Sequence, residues 1–242
     1  MYNYGSLSLP LSILDKMAKE LDIRWETLNY TARFARPAFA LWGQGGKIME
    51  GLYDALSNYG VNLANIQFTP TLPNATTPLL TIGVTNTGTL KFAYDRLEYS
   101  FSNFTTDFFQ SLPGLFSRLS QWLRDAVPKF QFASHEFQYF THCYLKTGQT
   151  EEFLASVNAR TFRNAGLSIG HGSVFHHTLP EKKWETQLII DRSTSLPNAL
   201  FLSLNIAAHG DINYEDFLRD ARAYFASMLQ ELDLALTELS ES

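Results

Sequence analysis

The sequence predicts an α+β protein of two topologically similar halves, each ordered strand, helix, three strands, helix, with mostly antiparallel sheets packed against helices. Three observations predict it. TIGV and LKFAY flank the turn Asn86-Thr87-Gly88, a hairpin signature that calls for antiparallel pairing. Apolar residues recur at helical spacing in the middle of the chain and again near its end. Hydrophobic residues make up 45% of 242 and aromatic residues 14%, enough apolar surface for one large core.

Residues 1–36 read as an N-terminal arm, with a helical pattern at Leu11, Leu14, Met17, Ala18 and Leu21 followed by mixed polar sequence. The first half spans 37–127. It opens with a strand at Ala38–Trp42 and a helix from about Lys47 carrying Ile48, Leu52, Ala55 and Leu56, which Gly60 ends. A strand at Leu63–Phe68 precedes the connector Pro70–Pro78, where each proline removes a backbone donor. In LKFAYDRLEYSF the apolar phase shifts, so a bulge or a further turn falls near Asp95-Arg96. Pro113 suits position N1, which predicts a short turn and then a helix presenting Leu115, Phe116, Leu119, Trp122 and Leu123.

The second half, 128–242, packs with the first as one globular unit. Residues 129–145 form a long aromatic strand whose phase slips between Glu136 and Phe137. Lys146–Gln149 turn, and Thr150-Glu151-Glu152 open a short helix with a cap and acids at its positive end. Strands follow at Gly166–Phe175, Trp184–Asp191 and Leu200–Ala208. Asn213 caps a final helix whose apolar stripe runs from Phe217 to Leu236, longer than one half-sheet covers; the N-terminal arm around Leu11–Leu21 or a second copy of the chain covers the rest, and Leu232, Leu236 and Leu239 are the candidate interface with a second copy or a protein partner.

Function is less legible. A net charge of −5 and a pI near 5.7 exclude a basic nucleic-acid footprint. The lone Cys143 excludes an intrachain disulfide and reads as a buried thiol. Without a signal peptide or a long apolar span the expected location is cytoplasmic, with no membrane partner. The sequons at Asn29, Asn74 and Asn103 are then chance matches. LWGQGGKIMEGL resembles a phosphate cradle, but position 41 is Leu and position 48 is Ile, so the P-loop pattern fails at both ends. Gly43, Gly45, Gly46 and Lys47 still offer amides and a charge to an anion at a helix start. Lys146-Thr147-Gly148-Gln149 occupies the same place in the second half, which favours a bend that the topology needs twice.

His171, His177 and His209 are the candidate metal ligands, with His176 facing the opposite way on a strand. The spacing matches no zinc motif, and no metal or other cofactor is expected. No nucleophile elbow exists, Ser168 and Ser173 are near His171 in sequence only, and the acids at Asp95, Glu98, Asp211 and Glu215 suit turns and helix starts. No catalytic residue is assigned, and the chain leans away from enzymatic function. The rings at Phe92, Tyr94, Tyr99 and Phe101 and at Phe130, Phe132, Phe137, Tyr139, Phe140 and Tyr144 exceed what one buried face requires. Core packing on both faces is favoured over a ring-lined cavity.

GTLKFAYDRLEYSF, FQYFTHCYL, WETQLIIDRS, LFLSLNIA and NYEDFLRDARAYFASML, over roughly residues 80 to 235, resemble a sporadically distributed family of uncharacterised bacterial proteins. The resemblance implies a bacterial cytoplasmic α+β protein and carries over no functional residue. Two readings stand: a non-enzymatic binding or protein-interaction module, with a homo-oligomer among its expected forms, and a small-molecule enzyme or ligand-binding protein with an aromatic-lined cavity between the halves.

Overall fold

The structure is a computed structural model that describes residues 18–59, 61, 63–68, 79–84, 88–103, 106–158 and 172–236. Its elements are β1 (Lys19–Phe34), α1 (Gly45–Leu56), β2 (Ile66–Phe68), β3 (Leu80–Val84), β4 (Gly88–Phe92), β5 (Arg96–Ser102), α2 (Thr106–Ala126), β6 (Phe132–Leu145), α3 (Thr150–Asn158), β7 (Ser173–Leu179), β8 (Trp184–Arg192), β9 (Leu200–His209), α4 (Tyr214–Gln230) and β10 (Leu234–Leu236). The strands make one sheet in the order β2-β3-β4-β5-β1-β6-β9-β8-β7, and β10 adds to the start of β1. That last pairing is parallel and the others are antiparallel. The α+β class with an antiparallel sheet against helices is therefore what the chain adopts.

The largest departure from the sequence reading is β1. Residues 19–34 belong to no arm; they form the longest strand, at the middle of the sheet, between β5 and β6. Their period is two: Leu28, Tyr30, Ala32 and Phe34 are buried, while Asn29, Thr31 and Arg33 point the other way. Those intervening polar residues hide the strand from a search for helical periodicity. The first half thus starts with β1, and Ala38–Trp42 is no strand but a 3₁₀ turn at Phe39–Leu41. Outward from the β1–β6 seam lie β5, β4 and β3 on one side and β9, β8 and β7 on the other.

Further differences have local causes. Leu63–Asn65 is a 3₁₀ turn, leaving only β2 of the strand expected there. Ala93–Asp95 connect β4 to β5, so the phase shift is a turn and not a bulge. Pro113 lies inside α2 instead of starting it. An interior proline costs a backbone bond, but Leu112 and Leu115, Phe116, Leu119 and Leu123 on either side all reach the core, and that shared burial keeps one continuous helix. In β6 the phase slip falls beside Ala133, opposite the register shift at Arg33/Phe34, and not between Glu136 and Phe137. It turns Phe132 inward along with His135 and Phe137. The final helix ends at Gln230; Asp233 takes a left-handed φ of 57°, and Leu234–Leu236 pair with Lys19–Leu21. Gly60, the whole Pro70–Pro78 connector, residues 166–171 of the strand expected at Gly166–Phe175 and the first-arm positions Leu11, Leu14 and Met17 lie outside the described residues.

One continuous core joins the sheet to the helices. Phe116 of α2 stacks on Tyr30 with ring centroids 4.7 Å apart, and Phe217 and Phe225 of α4 meet Phe137 and Tyr139 edge-on. α1 approaches α2 closely at Gly51, where a Cβ would lie 1.9 Å from Trp122 Nε1. α3 packs beside β8 through Phe153 and Leu154. On the opposite face of the sheet, no described helix covers the centre.

Candidate functional site

Two polar features lie on opposite sides of the central strands. Beneath the helices, His135 Nε2 meets the Gly210 carbonyl at 2.8 Å, and its Nδ1 meets the Tyr30 hydroxyl. A carbonyl only accepts, so Nε2 carries the proton and Nδ1 accepts from Tyr30. Tyr30 in turn bonds to Tyr214, whose oxygen lies 2.7 Å from Ser120 Oγ. Fixing the Gly210 end therefore sets a direction through the chain: Ser120 donates to Tyr214, Tyr214 to Tyr30, and Tyr30 to His135. Burial drives the His135 pKa down to about 4, against the smaller opposing effects of the Gly210 bond and Asp211. The imidazole is neutral at pH 7 and the network is a set of satisfied core bonds tying β1 and β6 to α2 and α4.

Glu26 is also buried on this side. Tyr139 donates to its Oε2 at 2.8 Å, and burial raises the carboxyl pKa while Tyr139 and Arg222 oppose the shift. Such a group is the kind that catalysis uses, yet neither groove described below includes it.

The uncovered face carries the groove. Strand register puts Ser100, Asn29, Gln138, Asn205, Gln187 and His176 directly beside one another on β5, β1, β6, β9, β8 and β7. Ser100 Oγ donates to Asn29 Oδ1 at 2.8 Å, Asn29 Nδ2 to Gln138 Oε1 at 3.1 Å, and Asn205 Nδ2 to Gln187 Oε1 at 2.9 Å. The next row holds Glu98, Thr31, Glu136, Ala207 and Glu185. Arg96 and Arg33 pair with Glu98 and Glu136. These two rows floor a groove of about 480 Å³ across β1, β6, β9, β8 and β7, and a second of about 290 Å³ continues over β1, β5 and β4. The larger volume is within the range of small-ligand sites, ~300–1,000 Å³.

Toward one end, the same face becomes aromatic. Trp25 is 40% exposed and stacks on His142 at 5.3 Å, with Phe140 and Phe201 beside them. Ser193 Oγ accepts the backbone N–H groups of Ser195 and Leu196, so its own proton goes to His142 Nδ1, 2.8 Å away. Burial lowers the His142 pKa. The serine anchors the β8–β9 loop, and no third residue completes a catalytic arrangement among the described residues. Ser203, paired in register with Phe140 and Ile189, is fully buried with no partner for its hydroxyl.

The sites expected from sequence are not assembled this way. Gly43 takes a left-handed φ of 73° and Gly148 one of 88°, each in the turn before a helix, a region that glycine enters at no steric cost. α1 then starts at Gly45, with Gly46 and Lys47 exposed in its first turn. The bend accounts for Gly43. His177 faces the helices, where its Nδ1 meets the Tyr224 hydroxyl at 3.0 Å, whereas His209 points to the uncovered side. They cannot share a metal, His171 lies outside the described residues, and no group of three metal-binding side chains occurs among the described residues. Leu232 packs half-buried against the core; Leu236 belongs to β10, and Leu239 lies outside the described residues, so the long stripe that suggested an interface is replaced by a helix, a turn and a strand. Cys143 is buried as expected, its thiol pKa pushed up to about 12 by desolvation and Asp22. No described helix is long and apolar enough to cross a membrane.

No family model matches the chain, and no curated protein matches it either.

Proposed function

We propose that the chain is a non-enzymatic binding module whose ligand or partner seats on the uncovered sheet face. The single observation that carries this reading is the row of amide and hydroxyl side chains flooring the 480 Å³ groove at the β1–β6 seam. Sheet faces left to solvent are ordinarily patterned by polar residues chosen for solubility; here amide and hydroxyl side chains stand in one row across five strands and bond to one another in two groups, Ser100–Asn29–Gln138 and Asn205–Gln187. Preorganised groups of this kind lower the entropic cost of binding. Asn29, Thr31, Glu136, Gln138, Gln187 and Asn205 predominate in the lining, so the alternative of a ring-lined cavity between the halves is not its basis. The rings at Phe92, Tyr99, Phe101 and Phe137 serve the core.

A cytoplasmic location and the resemblance to a bacterial family belong to the same proposal; the single buried cysteine supports the former. The mirrored strand order about the seam supports an internal duplication. A photo-crosslinking amino acid placed at Thr31 or Gln187, compared with one at the exposed Asp125 on α2, tests the reading in cells. A discrete adduct from the sheet positions alone is the expected result; equal adducts at all three positions, or none at any, would overturn it.

A second reading, a groove enzyme, draws on Glu136 and Glu185. Both line the groove on strands separated by β9, so their backbones are ~10 Å apart. Inverting glycosidases place two carboxyl groups ~6.5–9.5 Å apart. Turnover of any groove ligand, abolished in Glu185→Gln, would favour this reading over binding alone.

A further inference from the structure

We infer that the ligand of the groove is a neutral oligosaccharide lying across the strands, along the row from Ser100 to His176. The inference rests on the binding reading above and adds a ligand class to it.

The first argument is the unused bonding capacity of the row. Asn29 is engaged on both its oxygen and its nitrogen, but the amide nitrogens of Gln138 and Gln187 and the oxygen of Asn205 have no partner among the described residues. An amide side chain provides two donors and an acceptor with two lone pairs. The row therefore presents alternating donors and acceptors at strand spacing, and a sugar hydroxyl, which both gives and takes a hydrogen bond, is complementary to such a series. Six strands at ~4.8 Å give the row a length of about 24 Å, so a chain of linked sugars fits its shape better than a single ring does.

The second argument is what the surroundings exclude. Glu185 of the adjoining row has no paired cation among the described residues, whereas Arg96 and Arg33 offset Glu98 and Glu136 and Lys91 lines the smaller groove, so the acidic character that opposes a phosphate chain lies at the β8 end. An extended peptide adding to a sheet requires an unpaired edge; β7 is such an edge at one end of the groove, whereas β1, β6, β9 and β8 beneath the rest of it are paired on both sides. Recognition there must pass through side chains. An apolar ligand would strand the amides without partners. A protein interface of ordinary size needs an apolar centre, and the two rows of this floor hold mainly amide, hydroxyl and carboxylate side chains.

The third argument is the aromatic end of the face. Trp25 lies four residues before Asn29 on β1, about 13 Å along the strand, with its ring exposed and held by His142. A ring so placed offers an apolar plane to the C–H face of a sugar, while the amide row takes its hydroxyls.

The test is a glycan array of neutral and acidic oligosaccharides probed with the full chain, followed by calorimetric titration of the neutral glycan that gives the strongest signal. Gln138→Ala and Asn205→Ala are each expected to lower its affinity at least tenfold, with near-ultraviolet circular dichroism unchanged. Trp25→Ala serves as an independent variant outside the row and is expected to weaken binding several-fold. Absence of any neutral binder, binding restricted to acidic glycans, or affinity undiminished in both row variants would overturn the inference. A protein adduct from Thr31 or Gln187 with no glycan bound would also overturn it, while the broader reading of the face as a binding surface would stand.

Discussion

Ser203 shows how one atom can be worth more absent than present. Its hydroxyl is sealed at the centre of β9 with no hydrogen-bond partner, and leaving a buried polar group unsatisfied costs about 1–3 kcal/mol. Ser203→Ala is accordingly expected to raise stability by about 1 kcal/mol in urea denaturation, with the slope of the transition unchanged. His135 makes the opposite case, because its bonds are complete and its protonation breaks them. Its pKa is about 4 in the folded chain against an ordinary 6.5. Between those values the unfolded chain holds more protons, so stability rises with pH from about 4 to about 6.5 and is fully present above that window. The shift corresponds to roughly 3 kcal/mol. Denaturation series at pH 4, 5, 6 and 7 check this, and a His135→Gln variant should show a shallower rise across the same interval.

At the scale of elements, legibility followed the strength of a single period. β8, β9 and α4 stand close to where TQLII, LFLSLNI and the Asn213 cap place them, because each has unbroken alternation or a stripe with a defined start. β1 was missed because Asn29, Thr31 and Arg33 dilute its apolar content while Trp25 sits beside a register shift at Ile23/Trp25 that breaks the alternation. The amide row was missed for a related reason: its members are one per strand and come together only through register, which no local pattern encodes. The signal available was the choice of Asn and Gln, instead of Lys or Thr, at the outward positions of β1, β6, β8 and β9. The α1–α2 crossing gives the element-scale prediction. Gly51→Ala drives a methyl into Trp122, and overpacking of this kind costs about 1–3 kcal/mol. A fall in melting temperature is expected, and Trp122→Leu in the same chain should recover part of it. At Leu234, fully buried in β10, truncation to Ala should cost about 2–5 kcal/mol by the same measurement; no loss would mean that β10 contributes little to the sheet.

At the scale of the whole molecule, the two halves are joined through backbone pairing along nearly all of β1 and β6, from Leu21 opposite Leu145 to Phe34 opposite Phe132. Neither half can unfold without exposing a long unpaired edge to water. Thermal unfolding is therefore expected as one transition, with calorimetric and van't Hoff enthalpies in agreement; two resolved steps would show that the halves are independent. The position of β1 also sets a schedule for synthesis. Its partner β6 begins about a hundred residues after β1 ends, an interval on the order of 5–20 s at translation rates of ~5–20 residues per second. From the completion of β5 to the start of β6 the ribosome holds a nascent half-sheet whose innermost strand is still its outermost edge, open to any neighbouring chain. The last described strand, β10, reaches β1 only after β6 to β9 and α4 have emerged. Chaperone occupancy on the nascent chain should accordingly concentrate between the completion of β5 and the emergence of β6.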